Sequence, residues 1–537
     1  MAIDYLLTTE GDTILTTEGE TPIPIHAFTV IENLEYGLKI DWDGDGEYDD
    51  YQEADRILRW DGERGRERIY RPSGNGFNPY EIGRLMIELD NYDGRYDPWN
   101  TSSPLYGNIM PGRNVQLKIA VYDETDTVDE HNSYFTFTGT LSDLRVNGHK
   151  KSVTMIIEDG WRFLADFDIF RFPYTASASE VQGELDKVLR LEIFFNASAI
   201  AYEVHITRRY PWGFIFTPTP GIERIPRHWW WDGTAKSCIE MIVFASLGRA
   251  FVRKDGRFVF RDLRETTDTP VTTLDEDILL KDIYLPVPWE NLRSEVVLKG
   301  SNNYIDINWN KIASLPVPIL VEAGETVQFS LNYEYLDVKP VYCPRILSVS
   351  FAAHSTTDSS GTNLTEFIQR EIEPRFTNVQ LTATNVGLTD AYLTTFDIEG
   401  EALEVIEHSW RFEADDPYRE SSFVLQNPWL TITRERAIDG YIQETATTQN
   451  DKERIDLIGA SLLEHVSEVR PYPVVQMRGR WDEQFELELE DKVTFTSPTH
   501  GIDDNFRVSK IAHRSMGSPQ DVLTTLWLYP PIEPAST

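Results

Sequence analysis

The sequence has few cysteines and no long apolar run. Its 537 residues include two cysteines, Cys238 and Cys343, which are far apart and match no metal-binding spacing. This usage is typical of a protein that folds in a reducing compartment. No stretch reaches the roughly 18 apolar residues of a membrane-spanning helix, and the N-terminus has no charged-then-apolar signal pattern. We therefore expect a soluble, unsecreted protein without a membrane span.

The sequence also lacks the short motifs of common enzyme families. It contains no nucleophile elbow, no Walker phosphate loop, no dinucleotide-binding fingerprint and no His-Glu-x-x-His pair. Its ten histidines are scattered, and we interpret His131, His500 and His513 as surface or structural residues. The sequence therefore predicts no catalytic residue, no cofactor-binding residue and no cofactor.

Positive charge is scarce relative to negative charge. The chain has 88 Asp and Glu residues against 50 Lys and Arg residues, a formal net charge of −38. Such a surface repels phosphate backbones and disfavours ordinary nucleic-acid binding. The acidity is typical of a soluble surface that resists association, and it would also suit a wall along which DNA slides without sticking.

The chain does have hydrophobic periodicity, and in its first part this periodicity predicts β-strands. The motif "LTTEG" occurs twice within residues 1–26, which we interpret as an extended arm that adds strands to a neighbour or as a disordered tail. Over residues 27–170 the apolar residues alternate, as in Leu38, Ile40 and Trp42. This alternation, with a turn at Asn147-Gly148, predicts a β-barrel-like domain of antiparallel strands.

The rest of the chain mixes helical and strand patterns. Residues 171–270 predict an α+β domain: one helix with Ser179 as its N-cap and Val181, Leu185, Val188 and Leu189 on its apolar face, a second over Gly233–Leu247 ended by Gly248, and a hairpin turning at Asp255-Gly256. Residues 271–415 predict a β-rich domain, and residues 416–537 a helix followed by a second β-barrel-like domain. The predicted fold is multidomain and mainly β with an α+β insertion.

The stretch "DWDGDGEYDD" (Asp41–Asp50) resembles a calcium loop in its spacing. Asp41, Asp43, Asp45 and Asp49 take the oxygen-donor positions, with Gly46 at the sixth position, but Gln52 stands where a bidentate glutamate belongs. Because Ile40 and Trp42 point inward, we expect Asp41 and Asp43 to face solvent, in a hairpin turn through Asp43–Gly46. We predict no metal site here, and calcium as a stiffener remains the open alternative.

A carbohydrate-active protein is the second hypothesis that the composition allows. Glycoside hydrolysis needs two carboxylates across a cleft, and the tryptophans Trp229–Trp231 could stack on sugars. Four acidic residues cluster in one part of the chain: Glu88, Asp90, Asp93 and Asp97. We favour packing for the tryptophans, because consecutive residues of a strand point to opposite faces.

The segment from Glu88 to Val115 is rich in turn-forming residues. Asp90 and Asn91 can form Asx turns, and Gly94 can adopt a positive φ. We expect an ordered loop anchored by Tyr96, Trp99 and Tyr106, which acts in packing or assembly.

At these residues the sequence resembles a known family. The stretches "LDNYDGRYDPWNTSSPLYGNIMPGRNVQLKI", "FTGTLSDL" and "VTMIIEDGWRFL" look like the N-terminal domain of tailed-bacteriophage tail-tip hub proteins, which are baseplate-hub-like minor tail proteins. Later stretches that include "WWWDGTAKSCIEMIVFASLGRAFVRKDGRFVFRDL", Leu315–Phe329 and Leu487–His513 are similar to the middle and C-terminal parts of that family.

The resemblance implies a structural role in a virion. Hub proteins of this kind form a ring, usually a homotrimer, that caps the tail tube and surrounds the DNA passage. Two barrel-like domains per chain give that ring pseudo-sixfold symmetry. The implied partners are the tail tube, distal tail proteins and receptor-binding proteins, with DNA only as non-specific cargo. The implied location is the tail tip of a siphophage-like virion assembled in the host cytoplasm.

Two alternatives to the hub remain open on the sequence alone. A tail protein that binds or degrades host surface polysaccharide would explain the acidity and the tryptophan content. An adhesion module with calcium-stiffened domains would explain Asp41–Asp50.

Overall fold

The structure of the protein is a computed structural model. It describes residues 33–49, 53–70, 76–122, 132–166, 168–169, 179–180, 224–225, 233–244, 247–261, 268–276, 279, 283–287, 292–335, 339–343, 346–374, 377–414, 421–436, 442–444, 446–479 and 481–532. The predicted arm, His131, the predicted helical face from Val181 to Leu189 and the tryptophans Trp229–Trp231 lie outside these residues. None of the described helices is long and apolar enough to cross a bilayer.

The first part of the described chain consists of six strands. They are β1 Asn33–Ile40, β2 Ile57–Gly65, β3 Glu81–Asp90, β4 Asn114–Tyr122, β5 Asn132–Asn147 and β6 Ser152–Glu158, with a 3-10 turn at Ala54–Arg56. The predicted alternation is present, since Leu38 and Ile40 on β1 and Leu117 on β4 are buried. These strands place their apolar side chains around Trp42 and Trp60, which are both fully buried.

Short elements fill the middle of the chain. They are α1 Gly160–Ala165, β7 Asp168–Ile169, β8 Ser179–Glu180, β9 Arg224–Ile225, β10 Gly233–Thr234, α2 Ala235–Phe244, β11 Arg249–Val252, β12 Phe258–Arg261 and β13 Thr272–Asp275. The hairpin of β11 and β12 turns at Gly256 with a φ of +85°, as the Asp255-Gly256 pair predicts.

The remaining strands are longer. They are β14 Glu295–Ser314, β15 Ile319–Val321, β16 Thr326–Asn332, β17 Glu334–Tyr335, β18 Lys339–Pro340, β19 Ile346–His354, β20 Ile368–Pro374, β21 Asn378–Asn385, β22 Ala391–Glu413, β23 Ser422–Arg436 and β24 Ile442–Gln443. A 3-10 turn at Thr365–Phe367 precedes β20. The last described elements are α3 Ala446–Ser467, β25 Val474–Arg478, α4 Trp481–Glu486, β26 Lys492–Ser497, a 3-10 turn at Pro498–His500, β27 Ile502–Ser515 and β28 Val522–Tyr529.

Strand pairing joins the two ends of the chain into one sheet. Its order is β1-β4-β5-β6-β3-β2-β27-β26-β13, and β28 pairs with β27 and β25. The junction is the antiparallel pairing of β2 with β27, in which Asp61–Gly65 face Lys510–Arg514. The first and last predicted β domains therefore share backbone hydrogen bonds, while the domain boundaries themselves remain predictions.

A second sheet is formed by β14, β15, β19, β22, β23 and β24. Its axis is the long antiparallel pair of β14 and β22, with register shifts between Asp306 and Asn310 and between Lys311 and Ala313. The mainly β, multidomain prediction is confirmed.

Three local predictions differ from the structure. Ser179 lies in the short strand β8 and pairs with Ile225, so it is not an N-cap there. Helix α2 ends earlier than predicted, and Leu247 rather than Gly248 takes the left-handed position, with a φ of +54°. The Gly248 N–H donates to the Val243 carbonyl at 2.9 Å, so Gly248 is the residue after the left-handed one in a Schellman-type ending.

Candidate functional site

The acidic loop that follows β1 (residues 41–49) is held together by hydrogen bonds from its own backbone. Asp41 accepts from the Gly44 N–H at 2.7 Å and from the Gly46 N–H at 3.2 Å, and Asn114 Nδ2 donates to it at 3.1 Å. Asp43 accepts from the Asp45 N–H at 3.1 Å. The aspartates therefore stabilise the turns of the loop, as short acidic side chains do in Asx turns.

Two details of the prediction for this loop were wrong. Asp41 is buried, with 2% of its surface exposed, because β1 ends at Ile40 and the alternation of faces stops there. The loop is not a hairpin turn, since β1 pairs with β4 while β2 pairs with β3 and β27.

The same loop brings three carboxylates close together. Asp41, Asp43 and Asp45 can each place one oxygen within 4.8 Å of the others, and carboxylate oxygens are the ligands that calcium prefers. Asp49 has a different role, because its Oδ2 accepts the Trp42 N–H at 2.7 Å. The prediction that no metal binds here stays a prediction.

Each carboxylate proposed for sugar hydrolysis has a structural contact. Ser152 donates to Glu88 at 2.8 Å, and Arg56 donates to both oxygens of Asp93 at 2.8 and 3.0 Å. Asp90 and Asp97 accept backbone N–H groups two residues ahead of them. These contacts assign the four carboxylates to strand pairing and turn formation.

The loop after β3, residues 91–112, is a series of turns; we call it the turn loop. Five successive backbone hydrogen bonds, 2.9–3.2 Å long, close these turns. In each, a carbonyl accepts the N–H of the residue three positions ahead, and the accepting carbonyls belong to Asn91, Gly94, Asp97, Asn100 and Ser103. Side chains reinforce them, because Asp93, Asp97, Asn100 and Ser103 each accept the N–H two residues ahead. Gly94, with a φ of +69°, takes a backbone conformation that other residues rarely adopt. Of the two predicted Asx turns, the one at Asp90 is present, because Asp90 accepts the Tyr92 N–H at 3.1 Å, whereas Asn91 accepts the N–H of Tyr96, five residues ahead, at 2.9 Å.

Of the three predicted anchors of the turn loop, Tyr96 is confirmed. Tyr96 is fully buried, and its hydroxyl donates to the buried carboxylate of Glu53. Glu53 also accepts Trp42 Nε1 at 3.2 Å and Arg95 Nη2 at 3.1 Å, which ties the turn loop to the acidic loop. Burial, reinforced by the charge of Glu53, raises the pKa of Tyr96 well above its usual value, so the phenol stays protonated as a donor.

Trp99 and Tyr106, by contrast, are not anchors. Trp99 is 79% exposed and Tyr106 is 53% exposed, whereas Leu105 is fully buried and is the second anchor. Two further large apolar side chains of this region, Tyr92 and Met110, are also exposed. A loop held this firmly that presents several large apolar side chains to solvent is typical of an interaction surface.

The tip of the β5–β6 hairpin lies against the turn loop. The Asn91 N–H donates to the Lys151 carbonyl at 2.7 Å, and the Lys151 ammonium lies 3.8 Å from the centre of the Tyr92 ring. The turn of this hairpin was predicted at Asn147-Gly148, but the structure closes it over residues 148–151, with Asn147 paired to Ser152. Lys151 adopts a φ of +50°, a conformation that favours glycine.

A buried group of charged side chains lies where the two ends of the chain meet, and sequence reasoning missed it. We call it the Glu490 cluster; it consists of Arg66, Tyr80, Arg249, Glu490, Arg507 and Tyr529. Glu490 is fully buried and lies 3.1 Å from Arg249 Nε, and Tyr529 donates to it at 2.6 Å. Arg507 donates to the Glu490 carbonyl at 2.7 Å and forms a two-point pair with Asp268 at 2.9 Å.

Electrostatics keeps the cluster charged. Burial opposes ionisation of Glu490, but Arg249, Arg66 and Arg507 together outweigh it and hold the pKa of this carboxyl below its usual value. Burial raises the pKa of Tyr529 to about 12, so its hydroxyl remains a donor. The cluster members come from the segment between β2 and β3, from β11, from the loop before β26, and from β27 and β28. No local sequence pattern connects these parts of the chain.

We compared the chain with known proteins. No protein-family model matches it, and no curated protein sequence matches it. Solved structures do match. One is a 43 kDa tail protein of prophage MuSo2 from Shewanella oneidensis, with a TM-score of 0.46, 12% identity, and coverage of 93% of this chain and 99% of that chain.

Two further matches are also tail proteins by their descriptions. A tail protein from Neisseria meningitidis MC58 matches with a TM-score of 0.44 and 9% identity, over 92% of this chain and 96% of that one. The prophage tail protein gp18 from Listeria monocytogenes EGD-e matches with a TM-score of 0.39 and 8% identity, over 91% and 94%. The likeness thus spans nearly the whole chain, at an identity too low to transfer the role of any single residue.

Proposed function

We propose that this protein is a structural hub of a siphophage-like tail tip, a ring-forming adaptor that caps the tail tube and surrounds the DNA passage. The observation that carries the proposal is the single sheet that joins the first and last β segments through β2 and β27. A subunit with two firmly joined β segments can occupy two positions of a ring, which is the arrangement that the sequence resemblance implies.

The buried charges support the same proposal. Glu490, from the C-terminal part of the chain, pairs with Arg66 from the N-terminal part and with Arg249 of β11, so separating the joined segments would leave buried charges without partners. Rigid coupling of this kind suits a subunit whose two β segments must keep a fixed arrangement within an assembly. The partners we propose are two further copies of the chain, the tail tube, distal tail proteins and receptor-binding proteins.

We propose that the lumen of the ring is acidic, and the net charge of the chain supports this. A chain with a formal net charge of −38 would repel passing DNA and let it slide as cargo. We propose no enzymatic activity, because the clustered carboxylates Glu88, Asp90, Asp93 and Asp97 are engaged in structural contacts. We propose a location in the virion tail tip after assembly in the host cytoplasm.

The experiment is electron microscopy of the full chain reconstituted with its tail-tube protein. We expect rings with a central opening at one end of the tube, and tubes without this protein are the control. Tubes that lack any added ring, at protein concentrations well above those in the particle, would contradict the proposal.

A further inference from the structure

The turn loop and the adjoining hairpin tip form one continuous surface. The two are joined by the Asn91–Lys151 backbone hydrogen bond and by the Lys151 ammonium over the Tyr92 ring. This surface, which we call the basic edge, presents apolar, positively charged and polar side chains to solvent. The apolar ones are Tyr92, Trp99, Tyr106 and Met110, the positively charged ones are Arg145, Lys150 and Lys151, and His149 lies beside them. We propose that the basic edge binds an acidic face of a second copy of this chain, an inference that rests on the proposed ring.

The charge of the basic edge carries the choice of partner. Residues 145–151 read "RVNGHKK" and hold three lysines or arginines and no acid, in a chain with a formal net charge of −38. A second copy carries the same net negative charge, so two copies repel one another except where a basic region meets an acidic one. Arg145 pairs with Asp143 within its own strand, while His149, Lys150 and Lys151 are exposed.

The apolar part of the basic edge supplies contact area. Trp99 is 79% and Tyr92 is 73% exposed, and tryptophan and tyrosine are the side chains most often found at the energetic centres of protein interfaces. Because the turn loop is closed by consecutive hydrogen bonds, these side chains start from a fixed backbone. Binding then costs little ordering of the loop.

The backbone of Lys151 is an independent observation. Its φ of +50° lies in the left-handed region, where glycine or asparagine fits with less strain. Because strained residues concentrate at functional positions, this backbone conformation supports a role for Lys151 beyond closing the turn. Its ammonium adds positive charge beside Tyr92, at the junction of the loop and the tip.

The geometry is that of a head-to-tail contact. A basic surface meeting an acidic one joins unlike surfaces, and repeated contacts between unlike surfaces close into a ring when the rotation permits. A shallow depression at the hairpin tip, lined by Arg145, Asn147 and His149, offers a concave place for acidic side chains.

The test measures self-association of the full chain by analytical ultracentrifugation, at about 50 mM and 500 mM salt, alone and with the tail-tube protein. We expect the wild-type chain to associate more weakly at high salt, because screening shortens the reach of charges. We expect K150E/K151E and W99A to raise the dissociation constant at least tenfold. The matched control K299E/K311E changes the net charge equally on β14, and we expect it to associate like the wild type.

The K151G variant distinguishes an effect on self-association from an effect on folding stability. Glycine relieves the left-handed backbone, so we expect the melting temperature to stay equal or rise while self-association weakens. Equal association of all variants and the wild type would overturn the basic edge while leaving the ring intact. Variants that assemble normally but fail to retain the tube protein would overturn the second-copy assignment. A wild-type chain that stays monomeric with its tube partner would instead contradict the proposed function itself.

Discussion

The turn loop and the Glu490 cluster are ordered in opposite ways. The turn loop is built from hydrogen bonds between residues two to eight positions apart, and it lies at the surface. The Glu490 cluster joins residues more than 400 positions apart and is closed to solvent. Local order needs short polar side chains at the right spacing, whereas the cluster needs a completed fold before any of its pairs can form.

Because of this difference, the turn loop and the Glu490 cluster contribute differently to the stability of the fold. Loss of one turn contact leaves neighbouring turns in place, so the turn loop can carry exposed binding residues at little risk to the fold. Loss of one charge in the cluster leaves other charges buried without partners, which is costly in a low-dielectric interior. We therefore assign assembly to the turn loop and rigidity of the subunit to the cluster.

The largest effect is expected for Glu490→Gln. Removing this charge leaves the buried Arg66 and Arg249 without their carboxylate, and we expect the free energy of unfolding to fall by about 3–5 kcal/mol. Urea unfolding followed by circular dichroism measures it. Glu47→Gln on the exposed acidic loop is the control, with a change within about 0.5 kcal/mol. Similar losses for the two variants would break the distinction between buried cluster and surface loop.

A matched pair within the turn loop tests its anchor. Tyr96→Ala removes a fully buried ring and should lower the free energy of unfolding by about 3–5 kcal/mol. Trp99→Ala removes an exposed ring three residues away and should change it by less than about 0.5 kcal/mol. The melting temperatures of the two variants provide the measurement. If Trp99→Ala were the more damaging change, the assignment of Trp99 to a binding surface would be wrong.

Acid should lower the stability of the protein through a buried histidine, His513. His513 is buried beside Trp60 and Phe485, and its Nδ1 lies 2.9 Å from the Thr524 hydroxyl. Burial, with the positive charges of Arg64 and Lys254 added and Glu488 opposing, lowers the pKa of His513 to about 3.

The sign of the pH effect follows from that lowered pKa. Stability from neutral His513 is present above its unfolded pKa near 6.5 and is lost as the pH falls toward 3, by about 2 kcal/mol at pH 5. His513→Gln keeps a hydrogen-bonding side chain and cannot titrate. We expect it to flatten the decline of stability between pH 6.5 and 4, as measured by urea unfolding at several pH values. An unchanged slope would show that His513 does not contribute to it.

The smallest effect is expected for a single turn contact. Asp97→Ala removes the acceptor of the Trp99 N–H, and we expect a loss of about 0.5–1 kcal/mol confined to the turn loop. Hydrogen exchange of the Trp99 and Asn100 amides should accelerate, while amides of β27 remain protected as in the wild type. Accelerated exchange in β27 as well would mean that the loop and the joined sheet unfold together.

Much of the local structure could be predicted from the sequence, because local patterns encode it. The alternation of Leu38 and Ile40 and the turn at Gly256 are present in the structure. So is the Asx turn at Asp90, where acceptor and donor lie two residues apart.

Long-range features could not be predicted in the same way. The pairing of β2 with β27 and the partners of Glu490 depend on tertiary contacts that leave no periodic trace. Trp99 and Tyr106 were expected to be anchors because large aromatic side chains usually lie in cores. Because Trp99 and Tyr106 are exposed, we interpret the turn loop as a candidate binding surface and not as a packing element.

Native mass spectrometry of the full chain mixed with its tail-tube protein tests the central claim most directly. The account predicts a closed assembly whose mass contains three copies of this 61.9 kDa chain, and which dissociates as salt concentration rises. A single copy at every concentration and salt level, with the tube protein present and folded, would contradict it.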